Sequence, residues 1–180
     1  MKIQQRTPFF FAVEGESEQS LVKWYQSLCD QQGLHLHLDP QNLSGGGYKS
    51  MLEKAVLLQE RKGAKQSFLL VDSDRSLSQG RDDSWSIDDL KRKAHKEDIL
   101  VCAHHPNIEG FFLRLFSGNE HLEPLPKEAE KLLRKKEWPD YEKPENAKRI
   151  GEKFTLKDLL RLAKVEPDLK ALLSILGLNK

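Results

Sequence analysis

The sequence predicts an α/β protein with a mostly parallel sheet covered by helices on both faces, and three observations carry that prediction. Short apolar runs alternate with amphipathic helical patterns in the order strand, helix, strand, helix, strand, helix, strand, helix, with a helical tail after them. Phe9-Phe10-Phe11-Ala12-Val13 and Phe68-Leu69-Leu70-Val71 are continuous rather than alternating, as in strands buried on both faces. Each stops abruptly at a carboxylate, Glu14 or Asp72, at the carboxyl end of the strand, where open α/β sheets place their ligand sites.

The elements follow in order. After Glu14, Gly15 permits a tight turn and Ser17 is placed to cap a helix whose Leu21, Val22, Tyr25, Leu28 and Cys29 share one face, with Gly33 as its stop. Leu34 to Asp39 alternates, so leucines point inward and His35 and His37 outward; with no third ligand near in sequence, these histidines read as a solvated pair. Pro40 to Gly47 is a loop, and a helix runs from about Tyr48 to Arg61. The glycines before Lys49 and Ser50 lack the spacing of a phosphate loop, leaving Lys49 in solvent or against a nucleic-acid backbone. The strand from Ser67 delivers Asp72 and Asp74, which strand alternation puts on one side, able to share a cation.

Beyond an irregular stretch from Arg75 to Trp85, Ser86 caps a charged helix from Ile87 to about Lys96, and Asp98 to Ala103 is another buried strand. At its exit come His104 and His105, with Pro106 in the first turn of a helix that brings Glu109 toward the other strand ends. The character changes from Ser117. Residues 1–120 form the α/β domain; 121–180 are a helical extension that either packs on that domain or serves as a docking surface. Within it, a linker reaches Pro126, a basic helix covers Lys127 to Lys136, and Glu137 to Gly151 is a polar connection. Thr155 and Asp158 then form a capping box, and Pro167 opens a last helix with Leu169, Leu172, Leu173, Ile175 and Leu176.

Composition narrows the class. With 180 residues, 38% hydrophobic and 32% charged, the chain suits one soluble domain with a real core. No apolar run approaches the ~20 residues of a membrane span, and Met1 to Pro8 lacks a signal-peptide core, so the cytoplasm is expected. Cys29 and Cys102 have no metal-binding spacing and read as reduced core residues. A net charge of +1 gives no global basic signature, so any nucleic-acid binding must use local patches and a bound metal.

Carboxylates converging at adjacent strand ends are costly without a cation. Ligand type points to a hard one, Mg²⁺ with Mn²⁺ as substitute, held by carboxylates, water and a substrate phosphate. Glu18 either answers the helix dipole or joins this group.

Taken together and in order, Glu14-Gly15-Glu16-Ser17-Glu18, Asp72-Ser73-Asp74 and His105-Pro106-Asn107-Ile108-Glu109 resemble the motifs of a TOPRIM domain, and more narrowly those of the RloB-like proteins, over about residues 8 to 118. The resemblance implies a TOPRIM-type, Rossmann-like fold and Mg²⁺-dependent cleavage of DNA or RNA in bacterial anti-phage defence. It assigns Asp72 and Asp74 to the metal, and Glu14 to the metal or to general-base work. Glu109 and Glu18 take a second metal or orient its ligands, while His104 and His105 contact phosphate or donate a proton; Arg75 and Lys49 are secondary candidates beside them. The alternative is a non-cutting regulatory or nucleic-acid-binding subunit. A partner ATPase of the AAA or ABC type is implied in either case, with the C-terminal leucines as its docking face. Ser17 stands where the family has Thr, His105 where it has Asn, and Leu77 where topoisomerases and primases have Gly.

Overall fold

The computed structural model describes residues 5–74 and 85–179, so Arg75 and Leu77 lie outside the described residues. Its elements are β1 (Thr7–Val13), α1 (Glu16–Gln31), β2 (Leu36–Asn42), α2 (Tyr48–Lys62), β3 (Gln66–Asp72), α3 (Ile87–His95), β4 (Ile99–His104) and α4 (Ile108–Leu115). They are followed by α5 (Pro126–Lys136), α6 (Ala147–Lys153), α7 (Leu156–Leu162) and α8 (Pro167–Leu176). The four strands pair in parallel in the order β2-β1-β3-β4.

Alternation of side chains along the strands builds two cores. Phe9, Phe11, Val13, Phe68 and Leu70 face α1, α4 and the C-terminal helices, while Phe10, Ala12, Leu69 and Val71 face α2 and α3. Both faces are thus dry, which is why the strands read as unbroken apolar runs. Cys29 and Cys102 are buried free thiols, as expected. Among the described residues, no helix is long and apolar enough to cross a membrane.

Local chemistry sets the element ends, with some corrections to the sequence reading. Ser17 is not the cap of α1: Gly15 holds that position in extended backbone, and Ser17 is buried inside the first turn. The second strand starts later than Leu34 and continues through Pro40 to Asn42, which its edge position allows because one side of it needs no ladder donor. His35 and His37 are exposed, as the alternation predicted. Pro106 lies outside α4, which begins two residues later; Asn107 caps it, Oδ1 accepting from Gly110 N at 3.0 Å. A Cβ on Gly110 would stand 2.4 Å from Pro106 Cδ and 2.8 Å from the His105 carbonyl oxygen, so this contact between helix and loop requires glycine.

The C-terminal segment packs on the domain itself. Leu169, Leu172, Leu173 and Leu176 are at most 2% exposed and belong to the same core as β1 and β3, which removes them as a docking face. Burial of this kind is worth about 1.5–3 kcal/mol per leucine. Asp168 of α8 accepts from the edge amide of Ala103 at 3.3 Å and pairs with Lys91 at 2.7 Å, and buried Arg114 pairs with Glu166. The stretch read as a polar connection contains α6 and two fully buried aromatics, Trp138 and Tyr141, packed edge-on against Phe112. Two large rings among many charges suffice to anchor such a segment, because each carries so much apolar area.

Candidate metal centre

The chain leaves β1 for β2 on one side and returns through α2 to β3 on the other, so the strand order reverses beside β1. Open α/β sheets bind ligands in the crevice at such a point, outside the carboxyl ends of the strands. Here that crevice is a cavity of about 400 Å³ whose lining includes Glu14, Glu18, Ser44, Gly45, Asp72 and Lys143.

Each group arrives on a different element. Glu14 follows β1, and its Oε2 accepts from the backbone N–H of Asp72 at 3.2 Å, tying the ends of β1 and β3 together. Asp72 is the last residue of β3 and stands in register with His104, the last of β4. The Tyr48 hydroxyl donates to the Asp72 carbonyl at 2.8 Å, and Ser73 N donates to the His104 carbonyl at 2.9 Å. Glu18 descends from the first turn of α1, 4% exposed. One ligand atom from each of Glu18, Asp72 and His104 lies within 4.8 Å of the other two.

This trio is poorly satisfied. Among the described residues, Asp72 Oδ1 and both ring nitrogens of His104, itself only 1% exposed, are buried without a hydrogen-bond partner. His104 Nδ1 is 3.7 Å from Asp72 Oδ1, too far for a hydrogen bond. Burial holds the Asp72 carboxyl well above the usual range, reinforced by the charges of Glu14, Asp74 and Glu109. Burial and the charge of Asp72 push Glu18 up to about 7. Burial also drives His104 down, overcoming the pull of Glu18 and Glu14, so the imidazole is neutral and its contact with Asp72 is not an ion pair.

Glu109, 2% exposed, lies one step deeper. Its Oε1 accepts from the Tyr141 hydroxyl at 3.2 Å and from Lys143 Nζ at 2.8 Å. Burial alone would lower the pKa of Lys143, but the hydrogen bond and charge of Glu109, with Asp72 and Glu18 beyond, raise it. The cation stays charged.

Most of the predicted residues thus converge, in altered roles. Glu14, Asp72, Glu18 and His104 meet directly, and Glu109 joins through Lys143. Asp74 lies past the end of β3 in a turn, its amide bonded to the Pro106 carbonyl at 2.9 Å, so strand alternation does not apply to it. Its charge reaches Asp72, but it is not in the compact ligand group. His105 is exposed, with Nδ1 3.1 Å from Ser73 Oγ. Lys49 is exposed and outside the cavity lining. The glycine stretch supplies a wall: Gly45 N donates to the Glu14 carbonyl at 3.0 Å, and positive φ at Ser44, Gly45 and Gly46 turns the chain there.

Sequence reasoning missed Lys143, Tyr141 and Tyr48. Tyr141 had a signal, an aromatic stranded among charges. Lys143 had none, being one lysine among many. Comparison with protein-family models, curated proteins and solved structures finds no match for this chain.

Proposed function

We propose that this chain is a metal-dependent phosphodiesterase of the TOPRIM type that cuts nucleic acid, acting as an effector of bacterial anti-phage defence. The observation that supports the reading most is the meeting of Glu14, Glu18, Asp72 and His104 at the strand switch point, with the Lys143 ammonium lining the same cavity. The donor set fits a divalent cation: carboxylate and imidazole groups, buried, close together and in part unpaired.

Asp72, Glu18 and His104 would hold the cation, with Glu14 beside them. A cation bound there supplies Lewis acidity toward a phosphate oxygen and a lower pKa for attacking water. Glu14 is placed to take a proton from that water, since its carboxylate lines the cavity while the Asp72 amide fixes its orientation. Lys143 offers a charge-assisted hydrogen bond to the phosphate.

Electrostatics imposes an order on binding. Without a cation the cavity is lined by Glu14, Glu16, Glu18 and Asp72 with one lysine, a lining that offers a polyanion little attraction even where Glu18 and Asp72 hold protons. The metal must therefore enter before the nucleic acid. The bacterial-defence setting and an ATPase partner rest on the motif resemblance alone. Incubating the purified protein with labelled DNA and RNA pools, with Mg²⁺, with Mn²⁺ and with EDTA, tests the reading. Metal-dependent cleavage that vanishes in Glu14→Gln supports it. No cleavage of either polymer with either metal sinks it.

A further inference from the structure

We propose that the cation selected by this site is a later first-row ion, of the Co²⁺ or Zn²⁺ kind, taken through nitrogen by His104 together with carboxylate oxygens of Glu18 and Asp72, in preference to Mg²⁺. The inference rests on reading this cavity as a metal site, though not on what the loaded protein cleaves.

Two independent observations carry it. The first is composition and spacing: one imidazole and two carboxylates reach within 4.8 Å of one another from α1, β3 and β4. Mg²⁺ favours oxygen ligands in near-ideal octahedral array and keeps several waters, whereas imidazole suits the later first-row ions. The second is the state of His104. It is fully buried, yet among the described residues both ring nitrogens lack a hydrogen-bond partner. A buried polar atom left so costs about 1–3 kcal/mol, and here two belong to one residue beside a third, Asp72 Oδ1. A cation coordinated by one nitrogen and by Asp72 satisfies two of the three at once.

The carboxylate-only set predicted from sequence gives His104 no such partner. The rival use of the ring is packing, since it lies 4.9 Å from the Phe111 ring centroid. With a packing histidine, His104→Gln would leave the ratio of Zn²⁺ to Mg²⁺ affinity unchanged. That difference is measurable.

The test uses the full chain stripped with EDTA and titrated with Mn²⁺, Co²⁺, Zn²⁺ and Mg²⁺ by calorimetry. The expected result is Zn²⁺ or Co²⁺ binding at least about 100-fold tighter than Mg²⁺, as nitrogen ligation and the first-row order require. His104→Gln should weaken Zn²⁺ and Co²⁺ about tenfold or more, as loss of a ligand or its support does, while moving Mg²⁺ far less. If that variant does not fold, pulsed EPR of the Mn²⁺-loaded wild type decides instead, with imidazole-nitrogen modulation expected. Equal affinities for Mg²⁺ and the later ions, or a Mn²⁺ spectrum without nitrogen coupling, would overturn the proposal. Nitrogen coupling without nucleic-acid cleavage would keep the metal site and remove the nuclease reading instead.

Discussion

Lys143 Nζ lies 2.8 Å from Oε1 of Glu109, so a residue of the C-terminal extension neutralises a buried carboxylate beside the strand ends. The extension is therefore part of the site.

Lys143→Ala should weaken oligonucleotide binding about tenfold, the loss of one charge-assisted hydrogen bond, while Lys143→Arg keeps most of it. Fluorescence anisotropy in a Glu14→Gln background separates binding from turnover. Unchanged affinity in Lys143→Ala would leave the lysine only its pairing with Glu109.

Asp72→Asn should stabilise the metal-free protein by about 1 kcal/mol, because it removes an ionisable carboxyl that burial and its acidic neighbours disfavour, while metal binding is lost. Thermal melts with EDTA read the first effect and calorimetry the second. A large drop in melting temperature would make Asp72 a structural residue.

Glu14→Gln should cut turnover by at least about 100-fold, the range for a lost general base, with a much smaller change in metal affinity. The amide oxygen still accepts from the Asp72 N–H, so the link between β1 and β3 survives. Metal affinity and rate falling in step would assign Glu14 to the metal instead.

Glu18 makes the metal-free protein sensitive to pH. Its carboxyl titrates near 4.5 in the unfolded chain and near 7 in the folded one, so over that interval the unfolded state has released a proton that the folded state still holds. Stability should therefore fall as pH rises from about 4.5 to about 7 and level off above, by up to about 3 kcal/mol from this group. The buried Asp72 acts in the same direction. Urea titrations across this range check the slope, and Glu18→Gln should make it shallower, leaving the part due to Asp72.

Deleting the chain from Thr155 onward should give insoluble protein, since it removes Leu159, Leu162, Leu169, Leu172 and Leu173 from the main core. Leu172→Ala in the full chain should cost about 2–5 kcal/mol, read by denaturant unfolding. A soluble truncation that still binds metal would restore a separable extension.

The fold was legible because both sheet faces are covered, which writes β1 and β3 as unbroken apolar runs, and because Gly63 and Ser86 punctuate the helices. Glu14 and Asp72 were legible for the same reason, as the first polar residues after buried strands. Asp74 was over-read: a strand end shifts by a residue or two, and alternation holds only inside the ladder. The standing of His104 depends on the close packing of α4, and that of Lys143 on a segment fixed by Trp138 and Tyr141. Both are tertiary facts that no local spacing records.

The site residues enter the growing polypeptide far apart, Glu14 and Glu18 early, Asp72 and His104 midway, and Lys143 only after all four strands have been made. The helices α6 to α8, which complete the cover of one sheet face, come later still. A product stopped before residue 143 thus carries every carboxylate of the crevice, but neither the lysine that lines it nor the last helices of that cover. The crevice is therefore assembled from positions far apart in the order of synthesis, and its cationic wall is the last of these groups to be made.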